Sequence, residues 1–219
     1  MIAYTITTHP KAKSLKIKIL PSGEVVVVKP AWGFFLPNID DFVTQHQDWI
    51  LQTQAKVTAH HPPSNEVLVF GTSYQKTITQ NQKDPLGVRI VGQTLQIRPV
   101  SNTTQSINAA ITTFLKSTAQ KYLIPRTHQL ANTMNTTFTT ITLRQQSTRW
   151  GSCSSTGSLN FNWRLVHSPP AVIDYVIIHE LAHRSHMNHS AAFWELVRQF
   201  DPAYKEHMGW LKRHGMALG

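Results

Sequence analysis

Apolar and polar positions alternate in short runs over the first hundred residues, which is the period of a strand. Beyond them, apolar positions recur every three or four residues, which is the period of a helix. In Lys11–Leu20, Leu15, Ile17 and Ile19 fall on one face and Lys16 and Lys18 on the other. Pro21–Glu24 reads as a turn and Val25–Val28 as the returning strand of a hairpin. Asn38 is placed to cap a helix with Asp40 and Asp41 in its first turn. Phe42, His46, Trp49, Ile50 and Val57 fall roughly on one face of it, with Trp49 and Ile50 assigned to the core. His60-His61 runs into Pro62-Pro63 and has no partner at ligand spacing. Residues 66–71, 74–79, 87–91 and 94–98 read as further strands, with Gly92-Gln93 turning between the last two.

From Ser101 a long helix is predicted, its stripe of Ile107, Ile111, Phe114, Leu115, Tyr122 and Leu123 running to about Leu130. Residues 137–144 alternate as a strand, and Ser147–Gly157 is a loop of small residues. Leu159, Phe161 and Trp163 alternate with Asn160, Asn162 and Arg164, a strand expected to offer its edge to an extended substrate. Val172, Ile173, Val176 and Ile177 mark a half-buried helix that opens at Pro169-Pro170 and carries Asp174 in its first turns. Ser190 can cap a helix with Phe193, Leu196, Val197 and Phe200 inward. Asp201-Pro202 breaks the chain, and Tyr204, Met208 and Leu211 recur on a last helix. The expected class is α+β: a β-rich part over residues 1–100 with one helix, then a helical part with a short antiparallel sheet over 101–219.

Composition narrows the setting. At 219 residues the chain is one domain or two small ones. No apolar run approaches the ~20 residues of a membrane span, and no basic-then-apolar leader opens the chain. Cys153 stands alone, which rules out an internal disulfide and fits a reducing compartment, so the cytoplasm is the expected location. The net charge of +10 is spread along the chain. A surface of that sign can attract nucleic acid, or it can simply be solvated.

The chemistry concentrates in His179-Glu180-Leu181-Ala182-His183, with His186 and His189 beyond it. Residues four apart share a helix face, so His179 and His183 can offer two imidazoles to one ion. Glu180, rotated by about 100°, can reach a water on that ion without ligating it. A catalytic zinc takes three protein ligands and leaves one position open. Three ligands along a straight helix would be collinear over roughly 10 Å, so the chain must turn before the third. Asn188, which tolerates left-handed backbone, is the expected turning point. His189 is the favoured third ligand and His186 the alternative, lining the cleft or solvated.

Other groups were weighed for supporting roles: Arg149, Tyr204 or His207 for an oxyanion, and Glu195 for a hydrogen bond to a ligand histidine. Cys153 as a nucleophile lacks a neighbouring base. A zinc hydrolase of nucleotide phosphoanhydrides would need Arg or Lys in the cleft, with Arg149 and Arg164 nearest in sequence. A nucleic-acid-binding module with a vestigial site and a closed structural zinc are the remaining alternatives.

Residues 148–154 (TRWGSCS), 159–165 (LNFNWRL), 179–183 (HELAH) and 187–194 (MNHSAAFW) together resemble the YgjP-like metallopeptidases, relatives of the SprT-like and Wss1-like zinc proteases. The resemblance is specific over residues 147–210 and looser before that. It implies a zincin-like C-terminal fold and a Zn2+ ion on His179, His183 and His189. It also implies Glu180 as catalytic base, a peptide or protein substrate, and a Trp-Gly-Ser-Cys loop near the cleft. Arg149, Trp150, Asn160 and Tyr204 are the residues then expected to bind substrate or stabilise the transition state. Some relatives cut proteins crosslinked to DNA, which keeps nucleic acid open as a partner.

Overall fold

The computed structural model describes residues 2–20, 22–32, 37–60, 63, 65–81, 84–146 and 149–218. Pro21, His61, Pro62, Ser147 and Thr148, which the pattern assigns to turns and loops, lie outside the described residues. Packing divides the chain into two units, Met1–His61 with Lys212–Gly219, and Pro62–Leu211.

In the first unit, β1 (Tyr4–His9), β2 (Lys16–Ile19) and β3 (Val25–Pro30) form a sheet in the order β1-β3-β2. β2 and β3 pair antiparallel as the predicted hairpin, with Ile17 opposite Val27. β1 joins β3 in parallel, and the pattern gives no sign of it because its threonines supply no apolar alternation. Leu15, Val25, Val27, Val43 and Ile50 bury together. The single predicted helix is two, α1 (Ile39–Gln45) and α2 (Gln47–His60). They part at His46, whose N–H donates to the Val43 carbonyl and whose ring bonds the Phe42 carbonyl. The buried face keeps its period across the break, through Val43, Ile50, Thr53 and Val57, and Trp49, assigned to the core, is turned about 100° from Ile50 and is 49% exposed.

The second unit carries two sheets. β4 (Glu66–Val69), β5 (Thr72–Ile78), β6 (Gly87–Val91) and β7 (Thr94–Arg98) lie in the order β4-β5-β7-β6, with β5 and β7 parallel. The sequence pattern groups these strands with the N-terminal part, whereas Val67, Val69, Leu95 and Ile97 join the core of the second unit. The tight turn between β4 and β5 puts Phe70 and Gly71 at φ 52° and 77°. Their N–H groups donate to the carbonyls of Val166 and His167.

Helix α3 (Thr104–Thr133) buries Ile111, Leu115, Ala119, Leu123 and Thr127 at strict four-residue spacing. It is tied to α4 (Pro170–Ala182) by Arg126, whose Nε and Nη2 grip both oxygens of Asp174 at 2.8 and 2.6 Å. Asp174 therefore does not cap the helix dipole as the pattern suggests; it lies beyond the first turn and serves this pair.

β8 (Thr140–Arg144), β9 (Gly151–Cys153) and β10 (Ser158–Asn162) form the other sheet in the order β8-β10-β9, mixed rather than antiparallel as expected, because β8 runs parallel to β10 and only β9 antiparallel. β10, expected at an edge, is its middle strand, and β9 lies within the stretch read as loop. β10 stops at Asn162, whose side-chain oxygen accepts from the Arg164 N–H and caps a 3₁₀ turn, Trp163–His167. The class is thus mixed α+β, completed by α5 (Ala191–Phe200) and α6 (Tyr204–Leu218). Among the described residues no helix is long and apolar enough to cross a membrane.

His167 joins the 3₁₀ turn to β4 by donating from Nδ1 to the Leu68 carbonyl at 2.7 Å. Burial, helped by the Arg164 charge and opposed by that carbonyl, holds its pKa below the ordinary value of 6.5. As pH falls below about 6.5 the unfolded chain gains a proton here that the folded chain refuses, so stability is lost. His167→Asn, which keeps a donor but not the titration, should flatten the decline in denaturant midpoint as pH falls below 6.5. Equal slopes in wild type and variant would refute this.

Candidate metal centre

Helix α4 is apolar almost all round. Val172, Ile173, Tyr175, Val176, Ile177, Ile178, Leu181 and Ala182 are buried, so it runs through the core rather than along the surface. A charged residue on such a helix is carried inside, and Glu180 is only 6% exposed. Its carboxylate rests against β9. A Cβ built on Gly151 would fall 2.6 Å from its Oε1 and 2.7 Å from its Cγ.

The helix stops at Ala182, with His183 as C-cap. The chain then turns on hydrogen bonds from the N–H groups of Arg184, Ser185 and His186 to the carbonyls of Leu181 and Ala182. The reversal thus begins five residues earlier than predicted. Asn188 is not among the residues with positive φ. The turn is made at the helix end, where free carbonyls can accept from the following N–H groups. Ser190 then caps α5, accepting from the Phe193 N–H.

This path brings three rings together. The centroids of His179, His183 and His189 are 4.9–5.1 Å apart. Nε2 of His189 is 3.1 Å from Nε2 of His179, and one ligand atom from each of the three lies within 4.8 Å of the others. Two nitrogens bonded tetrahedrally to one zinc at ~2.05 Å sit about 3.3 Å apart. The cluster therefore fits one ion with small side-chain adjustments. Nδ1 of His183 donates to the His186 carbonyl at 3.0 Å, which leaves Nε2 as its free lone pair. His186 contributes this carbonyl, and its ring is outside the cluster. Nδ1 of His179 is buried without a hydrogen-bond partner.

Burial, then the neighbouring His183 and His189, push the His179 pKa down to about 4. Burial also lowers His183, with His189 acting in the same sense and the His186 carbonyl against it. Burial pushes Glu180 up to about 7, with the Arg149 charge opposing it. Neutral imidazoles carry the lone pairs that a metal requires.

Phe193, fully buried on α5, lies 4.7–5.0 Å from all three histidine rings. Trp194 stacks on His189 and Tyr204 stacks on Trp194. The apolar pattern assigns Phe193 to the core without hinting that it underlies the histidines. Asn162 is a second residue the pattern misses. It reads as an outward polar position, yet it is 3% exposed, because its amide donates to the carbonyls of Gln146 and Arg149.

Of the other predicted residues, Arg149 is exposed near Glu180, and Trp150 is half-buried beside Gly151. The Asn160 amide is not directed at the histidines: it accepts from Thr142 and donates toward Ser152 across the sheet. Tyr204 is separated from His189 by the Trp194 ring. His207 pairs with Asp201 at 2.8 Å. Glu195 forms a surface pair with Arg198 rather than reaching a histidine. Burial raises the Cys153 thiol pKa, the wrong direction for a nucleophile.

A family model described as YgjP-like, metallopeptidase domain, matches residues 13–214. Among solved structures, the metallopeptidase zymogen of Pyrococcus abyssi abylysin aligns over 42% of this chain and 96% of its own, at 21% identity and TM-score 0.38. The metallopeptidase zymogen of Methanocaldococcus jannaschii jannalysin aligns over 41% and 92%, at 20% identity and TM-score 0.37. No curated protein matches the chain.

Proposed function

Because the chain belongs to the YgjP-like metallopeptidase family, we propose that it hydrolyses peptide bonds with one Zn2+ held by His179, His183 and His189 and with Glu180 as general base. The observation that carries this reading is the convergence of three imidazole nitrogens within 4.8 Å, next in sequence to a buried carboxylate. Three nitrogen donors without a thiolate or carboxylate suit zinc in an open site. The ion would supply Lewis acidity, polarising water and the scissile carbonyl. Glu180 takes the proton from the attacking water and delivers it to the leaving amine. Gly151 gives its carboxylate room, and Arg149, exposed beside it, is assigned to the developing negative charge at the carbonyl oxygen. Phe193 and Trp194 hold the ligand rings in place, with Tyr204 behind them.

The layout of α3, the β8–β10 sheet, α4 and α5 is in this reading zincin-like. β9 is an edge strand beside Glu180, so an extended peptide or protein substrate would add to it by main-chain pairing. Trp150, next to it, would line the cleft. We assign the protein to the cytoplasm on its single cysteine.

The test is metal analysis with a peptide-library digest. One zinc per chain is expected, falling at least about tenfold in affinity in His189→Ala. Cleavage should disappear on chelation and return with zinc. Cleavage that survives complete metal removal would sink the proposal, as would a protein that binds no zinc.

A further inference from the structure

On the α3 side of the β8–β10 sheet, a cavity of about 250 Å³ is lined by Lys116, Gln120, Leu143, Arg144, Gln145 and Trp163. Every polar side chain in that lining can donate, and none is acidic. The indole is 7% exposed, yet its Nε1–H is buried without a hydrogen-bond partner. A buried N–H left unpaired costs about 1–3 kcal/mol, so one calls for an explanation.

Two cations crowd the same ring. The Lys116 ammonium lies 5.7 Å from the ring centroid and the Arg164 guanidinium 5.5 Å. The ring attracts each of them. Among the described residues, neither Lys116, Arg144 nor Arg164 pairs with a carboxylate. Other arginines here do find acids: Arg89 pairs with Asp84, Arg126 with Asp174 and Arg198 with Glu195. Positive charge at a cavity of donors, without a carboxylate partner among the described residues, is the electrostatic complement of an anion.

We propose that this cavity binds the phosphate group of a small ligand, either inorganic phosphate or a phosphate monoester. A carboxylate offers two oxygens, whereas a phosphate offers three or more to an ammonium, a guanidinium fork and two amides. Leu143 and the indole wall give an organic body an apolar surface to lie on. This site is separate from the histidine cluster and needs neither the metal nor peptide hydrolysis.

The zinc-loaded protein would be titrated with inorganic phosphate, adenosine monophosphate and adenosine, read by calorimetry and by the indole 15N–H signal assigned through Trp163→Phe. Saturable binding of phosphate and of the monophosphate, with Kd of about 1 mM or tighter, and a shift of the Trp163 N–H are expected. Adenosine should not bind. Lys116→Gln with Arg144→Gln, both surface changes, should weaken phosphate binding at least about tenfold while leaving zinc content and peptide cleavage unchanged. Binding that persists in that variant would overturn the proposal, as would acetate binding as tightly as phosphate, or no saturation by about 10 mM. If only a single-stranded oligonucleotide binds, and neither small phosphate does, the cavity is part of a nucleic-acid surface and the proposal is wrong.

Discussion

Glu180→Gln is expected to lower kcat for peptide cleavage by about 10²- to 10⁴-fold while zinc content stays at the wild-type level. Gln fills the same space against Gly151, so the packing of β9 on α4 is kept. What it loses is the lone pair that accepts a proton. The three imidazoles are untouched, because Glu180 is not one of the clustered ligands. KM should change little, since a missing proton acceptor weakens the transition state more than the bound substrate. A Gln variant that cleaves at the wild-type rate would remove Glu180 from the chemistry. One that loses zinc would make it a determinant of metal binding instead.

Gly151→Ala is expected to cost kcat about 10²-fold and stability about 1–3 kcal/mol. The added methyl would meet Glu180 Oε1, Cγ and Cδ at 2.6, 2.7 and 2.9 Å, closer than real Cβ atoms approach. Rotating the carboxylate moves the oxygens but leaves the contact with Cγ, so the helix or the strand must also give way. The damage belongs to the pair, and a double-mutant cycle isolates it. Adding Gly151→Ala to Glu180→Ala should cost much less stability than adding it to the wild type. Equal costs in the two backgrounds would mean that the glycine answers to some other neighbour.

How far the sequence reaches is clear from particular residues. His179 and His183 are four apart, and four residues on a helix mean one face; nothing further is needed to bring those two rings together. The α3 stripe and the Ser190 cap are legible for the same reason, because each is a local matter of period or hydrogen bonding. β9 is not legible. It is only three residues, Gly, Ser and Cys, too short to show an alternation, and it exists because β10 pairs with it across the Ser154–Gly157 turn. Asn162 and Trp49 mislead in opposite directions. A polar residue is buried because loop carbonyls accept from its amide, and an aromatic is exposed because the buried face of Val43, Ile50 and Val57 is too narrow to include its neighbouring position. The contact between Gly151 and Glu180 joins residues 29 positions apart through tertiary packing, which no local pattern encodes.

Phe193 adds a consequence for the metal-free protein. Its buried ring supports His179, His183 and His189 together, and α5, which carries it, is capped by the residue next to His189. On the proposed reading, His189 would be delivered as third ligand by a helix docking on the core. Most of the entropy lost in assembling the site is lost when the chain folds, so little remains to oppose capture of the metal. On that reading the receptacle would be assembled by the fold itself, unlike the small domains that fold only around their zinc.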